Sequence, residues 1–320
     1  MPGRRSLAAL LVAPLAAPTV ARTQEAWPAR SIRLVVPYPP GGTTDILARP
    51  YGEFLRQRLG QTVVMDNRPG AATNIGSEIV ARAEPDGYTL LFGQGSMIGN
   101  AATGPVPPYD PRTAFEAISL VAQVPYLVAA HPGFPARDLA GLITLARANP
   151  GRWRISSAQL DFQVAQLNRR AGFELEHVGY RGGAQATSDC IAGQVEMVFA
   201  LVPVLLPFVR EGVLRPLGVT SAARSPVLPQ TPSFAEAGAA RLDSGAWYGL
   251  FGPAGTPPGI VQRLAAETAA FAADPVLGAR LGGQGYRVES STPAALQALY
   301  LHTGDEYAAL VRELNWHPSR

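Results

Sequence analysis

The sequence predicts an α/β protein of two lobes, each a doubly wound, mainly parallel sheet, with a cleft between them. Three observations carry this. Apolar runs of strand length alternate with segments of helical spacing. The alternation pauses after residue 93 and restarts near 126, as a second unit would. The chain also has 320 residues, room for two domains of ordinary size, with 47% apolar and 16% charged residues to build their cores. Its 33 glycines and 30 prolines are spread along the chain, which marks many loops and not a low-complexity protein.

The elements follow in order. IRLVVPY (32–38) reads as a buried parallel strand, and residues 44–59 as a helix with Ile46, Leu47, Tyr51, Phe54, Leu55 and Leu59 at helical spacing. TVVMDN (62–67) is the next strand, RPGAATN a loop, 75–83 a short helix and YTLLFG (88–93) a third strand, completing a βαβαβ unit. In the second unit YLVAAHP (126–132) is a strand and Asp138 caps a helix running to 148. WRISSA (153–158), a helix to about 170, LEHVGY (175–180), a helix over 183–192 and VEMVFA (195–200) follow. VLLPFVREG (204–212) is a helix ended by glycine and RPLGVTS (215–221) a strand. A proline-rich connection leads to WYGLFGPAGTP (247–257), then helices over 258–273 and 293–314. The chain is expected to cross between lobes near 125 and return near 245. That places one lobe at 27–124 plus 246–320 and the other at 125–245.

The first segment, MPGRRSLAALLVAPLAAPTVARTQEAWP, has Arg4 and Arg5 before a mostly apolar run over 7–20, too short to span a bilayer. Thr19 and Ala21 supply small residues for cleavage, so residues 1–21 read as a secretory signal peptide, with a twin-arginine route left open. Removing it takes the net charge from +3 to +1, and no basic run remains to track a nucleic acid. All 27 basic residues are arginines. The lack of lysine excludes a Walker A loop and a pyridoxal Schiff base. Cys190 is alone and reads as a packed core thiol. An exported, soluble chain without disulfides points to a bacterial periplasm. Two α/β lobes in such a chain predict a hinged receptor, its site between the carboxyl ends of the two sheets.

VVPYPPGGTTD (35–45) holds the first candidate seat. Beyond Val36, Tyr38 and Pro40 shape the exit, and the prolines lack N–H groups. Gly41 and Gly42 expose backbone amides, Thr43 and Thr44 can cap the next helix, and Asp45 falls in its first turn. Spacing alone leaves an anion seat and an ordinary βα turn equally open.

Together, IRLVVPYPPGGTTDILAR, VVMDNRPGAATNIGSEIVARAEPDGYTLLFG, VGYRGGAQAT, RSPVLPQTPSFAEAG and WYGLFGPAGTP resemble the Bug receptors, the solute-binding proteins of tripartite tricarboxylate transporters. The resemblance covers nearly the whole chain after the signal. It implies a type II, Venus-flytrap periplasmic binding protein that captures a small organic acid and passes it to membrane transporter subunits, with no cofactor. A monomer is expected. The resemblance also favours the anion seat. Tyr180, Arg181, Gly182 and Gly183 repeat the same logic in the second lobe, a strand end and then glycines opening a helix, where Arg181 either supplies charge or is a solvated rim residue; Gln94 and Ser96 follow the third strand as candidates to line the cleft.

Two departures from the family bear on the ligand. Where the family has a Gly-Thr-rich loop and a histidine, this chain reads ISSAQLDFQVAQLNRR. Ser156, Ser157 and Gln159 are the substitute donors, and Asp161 puts a negative charge close to a carboxylate seat. Ala200 stands where the family commonly carries an aspartate, which argues against an amino-acid ligand. Both departures fit a less polar or larger ligand, or weaker binding.

Enzyme classes are the weaker reading. His131, His177, His302 and His317 show no metal-ligand spacing. Ser96 lies in GQGSMIG, which is neither a G-x-S-x-G elbow nor, with one residue too many, a dinucleotide motif. The alternatives kept are a sensing receptor for a membrane kinase and, less favoured, an exported hydrolase.

Overall fold

The protein, a computed structural model, is described over residues 27–316 except 240, 241 and 243. The signal-peptide reading and His317 lie outside the described residues.

β1 (Ile32–Val36), α1 (Thr43–Leu59), β2 (Val63–Asn67), α2 (Asn74–Ala81) and β3 (Thr89–Gln94) form the first βαβαβ unit. β1 lies between β2 and β3, parallel to both. Its residues alternate between two covered faces, which explains why the strand is apolar apart from Arg33, which pairs with Asp66. Ile32, Leu34 and Val36 share a core with Leu47, Tyr51 and Leu55 of α1, while Val35 packs with Val80 of α2.

α3 (Ser96–Thr103) precedes the long β4 (Phe115–Ala130). The second lobe then follows with α4 (Leu139–Ala148), β5 (Arg154–Ala158), α5 (Asp161–Ala171), β6 (Glu176–Tyr180), α6 (Gly183–Ile191), β7 (Met197–Leu201), α7 (Val202–Arg210) and β8 (Arg215–Val219). Asp138 caps α4 as expected, its carboxylate accepting the Gly141 amide at 2.8 Å. β9 (Gly245–Pro253), α8 (Pro258–Ala273), α9 (Pro275–Gly282), β10 (Arg287–Val288) and α10 (Pro293–Glu313) return to the first lobe.

The strand order is β2-β1-β3-β9-β4-β7-β5-β6, with β8 and β10 also on β4. Each lobe has three parallel strands, and the antiparallel β4 and β9 lie between the two sets. β4 starts well before the strand read at 126. From Phe115 to Pro125 it pairs with β9, and from Tyr126 onward with β7 and β8. Pro125 faces Gly245 where the strand passes between lobes. The cores divide at the same place: Val124 and Ala246 pack in one, Tyr126 and Leu242 in the other. A Cβ on Gly245 would stand 2.5 Å from the Val124 carbonyl, so the close pairing there requires glycine.

The lobes also meet away from these strands. α10 packs on α3 and β4, then reaches α5 of the second lobe. Tyr307 stacks on Phe162 at 5.0 Å and accepts from Gln163 Nε2 at 3.1 Å. Trp316 meets Phe162 edge-on at 5.4 Å, and Arg169 donates to Glu313 at 3.0 Å.

Candidate functional site

The ends of β1 and β3 and the starts of α1 and α3 meet on the face of the first lobe that adjoins the second. Tyr38 leaves β1 with its hydroxyl 2.6 Å from Ser96 Oγ. Gln94 Nε2 donates to Thr44 Oγ1. Tyr248 donates to Thr43 Oγ1 at 3.1 Å, and Tyr286 to the Thr43 carbonyl at 2.8 Å. Pro40, Gly41 and Gly42 are exposed. Gly41 sits at φ 79°, a turn that disfavours a side chain. Gly42 is the extended N-cap of α1, and no side chain caps it. The first-turn amides of a helix have no intrahelical partner, so those of Gly42, Thr43 and Thr44 remain available to an anion.

Asp45 serves the loop and not the cleft. It is buried, and its carboxylate accepts from the Gly41 amide at 2.9 Å, Arg49 at 2.7 Å and Asn67 at 3.0 Å. Burial by itself would raise its pKa, but these bonds outweigh burial and hold the carboxyl below its ordinary value. The Gly41 amide is therefore already committed, which removes one donor expected for the ligand.

In the second lobe Gly182 is the uncapped, extended start of α6, with Arg181 exposed beside it. Arg181 forms no ion pair with a described residue. Tyr180 turns away and donates to Asp189 at 2.7 Å. Gln159 is exposed, at φ 56°, between β5 and α5. Ala200, half-buried on β7, pairs with Leu127.

Two expected donors are spent elsewhere. Ser156 is fully buried, with its hydroxyl 3.0 Å from the Ala186 carbonyl and 3.1 Å from that of Met197, so it fastens α6 and β7 to β5. Ser157 Oγ lies 2.8 Å from His177 Nε2, and His177 Nδ1 lies 3.3 Å from Asp161 Oδ1. This trio has the residue types of a hydrolytic triad, but Ser157 is only 1% exposed and a nucleophile must reach its substrate. It ties β5, β6 and α5 together. Burial lowers the His177 pKa, and Asp161 only partly opposes that.

Sequence reading did not bring together Tyr38 and three tyrosines from other segments. Tyr126, Tyr248 and Tyr307 lie close to Tyr38 although far from it in sequence. Burial raises the Tyr126 phenol well above its usual value, and Tyr307, Tyr248 and Tyr38 add to that. Two of the three glycines of GQGSMIG lie against rings, while a Cβ on Gly93 would meet Met97 Sδ. A Cβ on Gly95 would meet the Trp247 indole at 2.7 Å, and one on Gly99 the Tyr307 ring at 2.5 Å. The motif therefore makes room for rings. The buried Cys190 thiol, pushed up to about 12 by burial, is unreactive. Among the described residues no His, Cys, Asp and Glu cluster could hold a metal ion, and no helix is long and apolar enough to cross a membrane. A surface cavity of about 610 Å³ opens beside β2, where Arg30, Arg33 and Arg68 are already paired with Asp86 and Asp66.

The model of the tripartite tricarboxylate transporter family receptor matches residues 47–315. The chain belongs to this family. It is 31% identical over 310 residues to the protein BugT of Bordetella pertussis, covering 95% of this chain and 94% of that one. Rpa4515 of R. palustris, solved with adipate, is 31% identical with a TM-score of 0.82, covering 92% of this chain and all of that one. MatC from Rhodopseudomonas palustris, with bound malate, is 29% identical with a TM-score of 0.77, covering 89% of this chain and all of that one. The family's fold is that of periplasmic solute-binding receptors. Its two α/β lobes, joined by β4 and β9, are those described above.

Proposed function

We propose that this receptor works in the periplasm, closes its lobes on a small carboxylate and delivers it to the membrane subunits of a tripartite tricarboxylate-type transporter. The lobes are 27–124 with 246–320, and 125–245, moving about the crossings at Pro125 and Gly245. The observation that carries the reading is the uncapped first turn of α1. No side chain caps it, Tyr248 donates to the Thr43 hydroxyl within it, and the loop that leads into it carries Tyr38, which meets Ser96 at the start of α3. The malate and adipate bound by the two R. palustris relatives support a carboxylate as the ligand class. Gly182, Gly183 and Arg181 would face it from the second lobe, with Gln159 at the rim.

A thermal-shift and calorimetric screen of the exported protein against carboxylic acids tests this. A ligand at about a hundredfold its Kd adds about 2.7 kcal/mol of stability. Stoichiometric binding without turnover of one acid is expected. Silence across the panel, or conversion of the acid, would overturn the receptor reading.

A further inference from the structure

The lobes touch at two places besides the crossing strands. The first adjoins the crossings. Leu201, which pairs with Tyr126, packs against both cores, and a Cβ on Gly285 would meet Val202 at 2.7 Å. Arg210 of α7 donates to the Gly283 carbonyl at 3.0 Å, just ahead of β10, which pairs with Ala122 and Gln123 of β4. Contacts so near the crossings travel little when the lobes turn.

The second place is α5 against the end of α10. It stands away from the crossings: β5, which leads into α5, is two strands out from β4, about 10 Å. Each side is fixed to its own lobe. Val164, Leu167 and Ala171 of α5 lie in the second core, and Asp161 reaches His177 of β6. On α10, Leu296 and Tyr300 are buried in the first lobe, a Cβ on Gly304 would stand 2.7 Å from Ile98, and Tyr307 lies on Gly99. Between these two rigid sides Phe162, only 5% exposed, has rings of the other lobe on two sides, stacked Tyr307 and edge-on Trp316. Gln163 donates to the Tyr307 hydroxyl at 3.1 Å, and Glu313 faces Arg169 and Arg170 at 3.0 and 3.7 Å. Asn315, at φ 48°, turns the chain back after α10, and the Trp316 amide donates to the Val311 carbonyl at 2.9 Å. That turn is what brings the indole to Phe162.

We propose that the end of α10 is a clasp that holds the lobes together before any ligand arrives, with Phe162 as its catch. Opening about Pro125 and Gly245 parts the rings, since a stack at 5.0 Å has no slack, and returns Phe162 to water. The closed form is then the resting one, and a ligand adds to closure already formed. This rests on the lobes moving as proposed above, and not on which acid is bound.

Small-angle X-ray scattering of the exported protein without ligand tests it. The wild-type curve should match the one calculated from this structure. Phe162→Ala should raise the radius of gyration and the maximum dimension, while a thermal melt still shows a cooperative transition. Trp316→Ala changes a residue beyond α10 and outside both cores, so it should fold even where Phe162→Ala does not, and it should expand the protein in the same direction. A wild type more extended than this structure, or either variant folded and as compact as the wild type, overturns the clasp. Both results leave the carboxylate screen, and the receptor reading it tests, untouched.

Discussion

Gly42→Val separates the seat from the scaffold. Gly42 has φ −75° and ψ 171°, extended backbone open to any residue. A Cβ there meets only the Pro39 carbonyl, at an ordinary 3.5 Å. The residue is exposed, so the fold should lose less than about 1 kcal/mol, the usual range for a surface change. The ligand should lose far more. The valine methyls would cover the first turn of α1 and keep a carboxylate from its amides. A charge-assisted hydrogen bond contributes about 1.5–3 kcal/mol, and the helix terminus about 0.3–2 more. The sum corresponds to a loss of affinity of roughly twentyfold to several thousandfold. Calorimetry reads the affinity, and a thermal melt without ligand checks the fold. Unchanged affinity at an unchanged melting temperature would place the anion elsewhere and refute the argument from free amides.

Gly99→Ala should lower the melting temperature and weaken binding together. Its Cβ would press into the Tyr307 ring at 2.5 Å, and such overpacking costs about 1–3 kcal/mol. Ala72→Gly should stabilise the apo protein by about 1 kcal/mol, seen as a melting point raised by a few degrees, because Ala72 is exposed and held at φ 53°. His177 should make stability fall with acid. Its folded pKa is lowered from 6.5, so the unfolded chain takes up the proton first. The loss begins as pH drops through 6.5 and levels off below the folded value. Melts of His177→Gln across that range should lack this slope. Asp45 has its pKa lowered too, so its contribution is full above the ordinary carboxylate value and disappears as pH falls through the lower folded one. Asp45→Asn should remove that second, more acidic loss from the melting profile.

Much of the fold was legible because short runs of β-forming residues between turn signals declare strands, most plainly the buried β1 and β3. β1, β2, β3, β5 and β6 fall where the pattern put them, and so do most of the helices between them. The first half of β4 was not legible. Its partner, β9, lies more than a hundred residues away, and pairing at that distance leaves no local period to read. The short β10 was missed because two residues show no alternation. α3 was missed because its glycines serve Trp247 and Tyr307, contacts that exist only after α10 and β9 have come back to the first lobe.

The site divides along a different line. A loop of bare backbone at a helix start can be read directly, because its chemistry lies in the amides. A polar side chain cannot be read so, because each hydroxyl or carboxylate has few bonds to give, and the fold decides who receives them. Ser156, Ser157, Tyr180 and Asp45 all stand in the right segments, yet each is engaged by the scaffold: Ser156 by two carbonyls, Ser157 by His177, Tyr180 by Asp189, Asp45 by its own loop. Removing those four leaves, of the expected donors, the backbone amides at the starts of α1 and α6 with Ser96, Gln159 and Arg181. Within 156–170 the fold has spent Ser156 and Ser157 on its own elements, and Phe162 on the Tyr307 ring of the last helix, which is why those positions could not be read as donors from the sequence.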